Sequence, residues 1–138
     1  MRAVTTTIAA LVITVPFALA QAADRQRPRL QLRASPRVAF SPVVVSLTAE
    51  LRGGDEVEDF YCPELEWDWG DGSRSARAQD CPPYEAGMEL DRRYTEQHVF
   101  RTAGTYDVSI TMRRGDRVLS VARAVVSVRP GLGDFSED

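Results

Sequence analysis

The segment ELEWDWGDGS, residues 64 to 73, sets three carboxylates at alternate positions: Glu64, Glu66 and Asp68. On an extended strand that spacing puts all three on one face. Two acids in unequal environments can act as general acid and general base, but the chemistry needs an apolar pocket that lifts one of their pKa values. The flanking residues imply no such pocket, and a wet strand face is ordinarily charged. The structural reading of the three acids is therefore preferred over a catalytic one.

Other devices are open to the remaining polar residues. Asp55, Glu56, Glu58, Asp59, Asp68, Asp71 and Asp80 lie in or beside loops, where a hard cation such as calcium finds the several oxygens it needs. No D-x-D-x-D-G loop is present. His98 is the single histidine, so a Ser-His-Asp or Cys-His device would have to use it, and no nucleophile stands out beside it. Zinc in a structural site takes four Cys or His ligands, and the chain offers only Cys62, Cys81 and His98. Trp67, Trp69 and Tyr106 would make a sugar-stacking platform only if they faced water.

The strands that carry these residues decide the matter. From Tyr61 the odd positions read Tyr61, Pro63, Leu65, Trp67 and Trp69, and the even ones Cys62, Glu64, Glu66 and Asp68. A period of two sends the tryptophans inward and the acids outward. Gly70-Asp71-Gly72-Ser73 then stops the strand, because glycine permits positive φ and Asp binds nearby amides. PVVVSLTAEL, residues 42 to 51, and GTYDVSITM, residues 104 to 112, alternate in the same manner. Leu30 to Arg33 is a short alternating run cut off by Ser35-Pro36. Arg114-Gly115-Asp116 makes a hairpin turn into VLSVARAVVSV, residues 118 to 128. Apolar parity changes there between Val121 and Ala124, as a bulge or a move between sheets would cause.

Two stretches lack this pattern. RGGDEVED, residues 52 to 59, reads as an exposed loop, and Arg74 to Gln97 as a long excursion holding at most one short strand, Leu90 to Tyr94. About seven short strands without helical periodicity predict an antiparallel β-sandwich.

Residues 1 to 23 carry an early Arg, an apolar run from Ile8 to Leu19 and an A-x-A arrangement at Ala18 and Ala20. This is the pattern of a cleaved signal peptide. The run contains Pro16 and is short of the roughly 20 residues a spanning helix needs. Residues 24–29 are expected to be a disordered lead-in, 30–129 the sandwich, and 130–138 a flexible acidic tail. Export, to the periplasm or beyond, puts Cys62 and Cys81 in an oxidising compartment, where two cysteines most simply form one disulfide.

All 17 basic residues of the 138 are Arg, and the formal net charge is -3. Residues 50 to 96 hold 14 acids against five arginines, so the middle of the chain is acidic. No basic stripe with interleaved aromatics is present, which argues against a nucleic-acid partner.

Three blocks resemble a known family. Trp67-Asp68-Trp69-Gly70-Asp71-Gly72-Ser73 resembles the W-D-F-G-D-G-S signature of PKD (polycystic kidney disease) domains, with Trp69 where Phe is usual. His98-Val99-Phe100 followed by Gly104-Thr105-Tyr106-Asp107-Val108 resembles the family's H-x-Y…G-T-Y-x-V segment. Ala34-Ser35-Pro36 and Ser41 to Val45 look like its opening strands. The resemblance implies an immunoglobulin-like sandwich serving as an extracellular interaction or spacer module, with no catalytic residues, and for some members a bound calcium. It gives Trp67, Asp68, Trp69, Gly70, Asp71, Gly72, His98, Gly104 and Tyr106 structural roles. The excursion, with Cys81, departs from the pattern by its length.

The expected function is a small exported, non-catalytic binding or scaffolding module whose partner is an extracellular or envelope protein or a polysaccharide. Pro82, Pro83 and Tyr84 are the expected contact surface, and no cofactor or metal is assigned. A calcium-dependent adhesion module and a hydrolase are the alternatives.

Overall fold

The computed structural model describes residues 27–55 and 57–132, so the expected signal segment, the first half of the lead-in, Glu56 and the acidic tail beyond Leu132 lie outside the described residues. Eight strands make two sheets. The smaller sheet contains β1 (Arg29–Ser35), β3 (Val43–Arg52) and β6 (Arg93–Phe100), with β3 in the middle and both pairings antiparallel. The larger contains, in spatial order, β2 (Val38–Phe40), β8 (Arg117–Arg129), β7 (Gly104–Arg114), β4 (Glu64–Asp68) and β5 (Arg74–Arg77). The β-sandwich that the alternation predicts is present, with one strand more than seven. β2 runs parallel to β8, which departs from an all-antiparallel arrangement.

β1 and β2 are one stretch of chain divided between the sheets. Pro36 has no N–H to give to a ladder, and the chain leaves the small sheet at Ser35 and joins the large one at Val38. The Ser35–Pro36 and Ser41–Pro42 bonds are both cis. β1 starts at Arg29, which pairs with Arg52, and Pro28 is buried. The end of the expected lead-in thus belongs to the sandwich.

Alternation builds the core. Val45, Leu47, Ala49 and Leu51 of β3 face Val108, Ile110 and Met112 of β7, and Leu65, Trp67, Phe100, Val126 and Val128 complete the interior. Burial of such side chains is the main favourable term in folding, about 1.5–3 kcal/mol for each large one. In β8 the parity change is a bulge. Met112 pairs with Ser120 but Arg113 with Val118, so Leu119 is the extra residue. Val121 is 47 % exposed, which puts the switch before it rather than after.

The excursion requires the largest correction. β5 and most of β6 lie inside residues 74–97, and Leu90 to Tyr94 is not a strand of its own. β5 reads RSAR and is exposed throughout, so it carries no apolar period to detect. β6 buries Tyr94 and Phe100 but puts Glu96 and His98 at the inward positions between them, which disguises its alternation. Only residues 78–92 remain as loop. The loop after β3 also contains structure: a 3-10 turn, Glu58–Phe60, with Phe60 buried.

Candidate functional site

The residues singled out in ELEWDWGDGS form β4 and the turn that leads into β5. Asp68 pairs with Arg74 across the hairpin, and the turn is closed by Trp69 N–H donating to the Ser73 carbonyl at 3.2 Å. Asp68 Oδ1 accepts the Gly70 N–H at 3.0 Å. Asp71 Oδ1 accepts both the Ser73 N–H at 2.9 Å and its hydroxyl at 2.5 Å. Gly70 has φ +75° and lies against β7: a Cβ there would stand 2.7 Å from the Asp107 carbonyl oxygen. Both aspartates are turn builders.

Asp71 reaches further. Its Oδ2 is 2.7 Å from His98 Nε2 on β6, in the other sheet. Burial opposes ionisation of Asp71, but the Ser73 hydroxyl, His98 and the Ser73 N–H outweigh it and hold the carboxyl at about 2. The His98 ring lies flat on Trp69, with centroids 4.4 Å apart and planes 5° apart, and Trp69 is stacked on Trp67 at 5.3 Å. His98 also meets Phe100 edge-on at 4.9 Å, and Phe100 meets Tyr106 at 4.4 Å. The Tyr106 hydroxyl donates to the Thr102 carbonyl at 2.7 Å and lies 2.9 Å from the Thr102 hydroxyl. Gly104 leaves room for that ring.

Five rings therefore run in file through the sandwich from β4 to β7 and tie the sheets together. Trp67, Trp69 and Tyr106 are buried, so they form no sugar platform. The Trp67 Nε1–H has no hydrogen-bond partner among the described residues. His98 has its Nε2 on Asp71 and its face on Trp69.

The three carboxylates face outward. Glu66 is bound by Arg113 at 2.9 Å and Asp68 by Arg74 at 2.9 Å. With Ser75 and Thr111 they line a shallow depression of about 500 Å³. Glu64 is exposed. Each of the two acids is thus matched by a guanidinium group at the surface. The two arginines were the partners the sequence did not indicate.

Of the acids weighed for calcium, Glu56 lies outside the described residues, and three others are engaged. Asp59 binds Arg117 at 2.7 Å and Arg114 at 3.5 Å, and Asp68 and Asp71 serve the turn. Among the described residues no three Asp, Glu, His or Cys side chains converge as metal ligands do.

The loop 78–92 is fastened at several points. Cys62, just before β4, is bonded to Cys81, with Cα atoms 6.2 Å apart. The Tyr61 hydroxyl donates to the Pro82 carbonyl at 3.0 Å, and the Tyr61 and Tyr84 rings meet at 5.4 Å. Tyr84 is consequently half-buried and does not protrude, whereas Pro82 and Pro83 are exposed. At the far end Leu90 packs on the core and the Arg92 carbonyl accepts the Leu51 N–H. Tyr61 is the anchor that strand parity alone did not reveal. Asp80, Glu85, Glu89 and Asp91 of this loop are in no ion pair with the described residues.

No family model matches the chain, and no curated protein matches it. Solved structures do. The chain is similar to the PKD domain of an M14-like peptidase from a Thermoplasmatales archaeon, with 15% identity and a TM-score of 0.54, covering 77% of this chain and 99% of that one. It is also similar to the CARDB domain of a Pyrococcus furiosus protein in complex with di-metal ions, at 13% identity and a TM-score of 0.44, covering 75% and 94%. At 15% identity the first of these likenesses speaks of architecture alone. The chain has the immunoglobulin-like sandwich fold of PKD domains.

Proposed function

We propose that this protein is a small exported, non-catalytic binding module that uses the loop 78–92 to contact an extracellular or envelope partner, a protein with a basic surface rather than a polysaccharide. The observation that carries this reading is the loop itself. It is fastened by the Cys62–Cys81 bond, by Tyr61 and by Leu90, and it presents four acids that are in no ion pair with a described residue. A preshaped loop on a rigid sandwich loses little entropy on binding. The disulfide suits an oxidising compartment, and no helix of the described residues is long and apolar enough to cross a membrane. The guanidinium-matched acids of β4 speak against a hydrolase.

The test is affinity capture from an envelope and secretome extract, with the chain from Asp24 as bait beside a variant whose residues 82–89 are replaced by a glycine-serine segment. That replacement keeps Cys81, Leu90 and Arg92. A discrete protein retained by the first bait and lost by the second is the expected result. Equal retention by both baits would remove the loop from the account, and retention of polysaccharide alone would replace the partner class. Calcium has no part in this proposal; a calcium-dependent module would unfold at a higher temperature in millimolar calcium than in chelator.

A further inference from the structure

The two long edges of the sandwich are built differently. At the β5–β6 edge the sheets are clasped, by Arg77 Nη1 on Glu96 Oε1 at 3.0 Å and by Asp71 on His98. At the opposite edge β1 packs close to β8 without pairing to it. A groove of about 500 Å³ lies there, lined by Leu32, Arg33, Ala34, Arg37, Arg123 and Val125 among others.

β2 covers only the end of β8. Val38 pairs with Ser127, and the ladder stops where the Ser127 N–H donates to the Arg37 carbonyl at 2.8 Å; beyond it Ser41 N–H donates to the Arg129 carbonyl. Both contacts use odd positions of β8. Backbone direction alternates along a strand, so the N–H and C=O groups of Val121, Arg123 and Val125 point to that same side, where no described strand pairs with them. The chain that could have covered them is drawn into the other sheet at Ser35-Pro36.

The side chains at this open edge form a pattern. Val121 and Val125 are 47 % and 44 % exposed, on either side of Arg123 on the outer face. Arg33 comes from β1, Arg37 from the crossing between the sheets and Arg123 from β8. None of the three guanidinium groups has an ion pair or hydrogen bond with a described residue. Scattered charge on an edge is a common guard against pairing. Three cations of one sign around three open backbone positions instead complement one kind of strand.

We propose that the unpaired edge of β8, Val121 to Val125, takes up an extended acidic segment of a partner protein as an added strand, with Arg123, flanked by Arg33 and Arg37, holding its carboxylate. Main-chain bonds supply the affinity and the alternate side chains the specificity. Register fixes the sequence: Asp or Glu opposite Arg123, and apolar residues two positions away on each side, opposite Val121 and Val125. This surface is distinct from the loop 78–92, which connects β5 to β6, so it stands or falls separately from the proposed function.

The test uses the chain from Asp24 and a synthetic peptide, Ser-Val-Thr-Glu-Thr-Val-Ser, beside its Lys-for-Glu counterpart. Expected are saturable binding of the Glu peptide alone, slowed amide exchange at Val121, Arg123 and Val125, and weakening by roughly tenfold or more in Arg123→Glu. Arg123 is exposed, so that variant retains its fold, and it should bind the Lys peptide in exchange. Equal binding of both peptides, unchanged exchange at the three amides, or no gain of Lys-peptide binding by Arg123→Glu would overturn the proposal. Self-association of an Arg33→Ser, Arg37→Ser variant with peptide binding intact would do so too, by making the arginines edge guards.

Discussion

Asp71 Oδ2 lies 2.7 Å from His98 Nε2, and this contact joins the turn after β4 in one sheet to β6 in the other. The same Asp71 closes its own turn through Ser73, and the same His98 lies on Trp69. Removing either partner therefore strips a cross-sheet bond and leaves the facing atom, Asp71 Oδ2 or His98 Nε2, without it. Asp71→Ala and His98→Ala should each cost about 2 kcal/mol, from a charge-assisted hydrogen bond and, for His98, a ring stack. Denaturant unfolding of both single variants and the double variant checks this, with a coupling energy of about 1 kcal/mol expected.

Acid should act on the same pair. Asp71 is held at about 2 against an ordinary value of 3.8, so its folded pKa is depressed. The stability it contributes is complete above about pH 4 and is lost as the pH falls through about 2. Asp71→Asn should flatten that part of the stability profile. A pH series of thermal melts reads the difference.

Gly70 and Gly72 make a matched pair of tests. Both have positive φ, but a Cβ on Gly70 meets the Asp107 backbone at 2.7 Å while one on Gly72 meets nothing within 4 Å. Gly72→Ala should cost only the left-handed backbone penalty, about 1–2 kcal/mol. Gly70→Ala should cost more than that, because Asp107 belongs to the central strand β7 and cannot retreat. Side-by-side melts of the two variants decide the order.

Tyr106→Phe keeps the ring on Phe100 and removes only the bonds to Thr102. About 1 kcal/mol should be lost, with near-ultraviolet dichroism of the aromatic file unchanged.

The strands that hold the ring file were legible in the sequence because their alternation is clean. Val43 to Leu51, Leu65 to Trp69 and Tyr106 to Met112 each present one apolar face, and that face is the core. β5 was not legible, since RSAR is exposed on both faces and exists only because β4 offers it an edge. β6 was half legible: His98 and Glu96 occupy inward positions where a pattern reader expects apolar residues, and only the partners Asp71 and Arg77, 27 and 19 residues away, explain them. The bulge at Leu119 was visible as a parity change, though placed too late because Val121 is apolar yet exposed. Tyr84 looked free in sequence and is covered by Tyr61, a contact that depends on the path imposed by Cys62–Cys81.

Reduction of that disulfide probes how the loop depends on it. The bond spans 19 residues, and opening a loop of that size should cost about 3 kcal/mol in the chain-entropy model. Sheet pairing does not run through it, so Cys62→Ser, Cys81→Ser protein should still fold, with faster amide exchange confined to residues 78–92. Exchange that rises across β4 and β7 as well would mean the bond supports the sandwich itself.

The central claim is that the W-D-W-G-D-G-S segment is structural and that the loop 78–92 makes the contact. The most direct measurement compares partner retention by two variants of the chain from Asp24, one with residues 82–89 replaced and one carrying Asp71→Asn, each scaled to its folded fraction. The account predicts that the first loses the partner with its melting temperature little changed, and that the second melts earlier yet retains the partner in full. Loss of the partner by Asp71→Asn, with the loop replacement still binding, would contradict it and return the site to the turn at Gly70–Ser73.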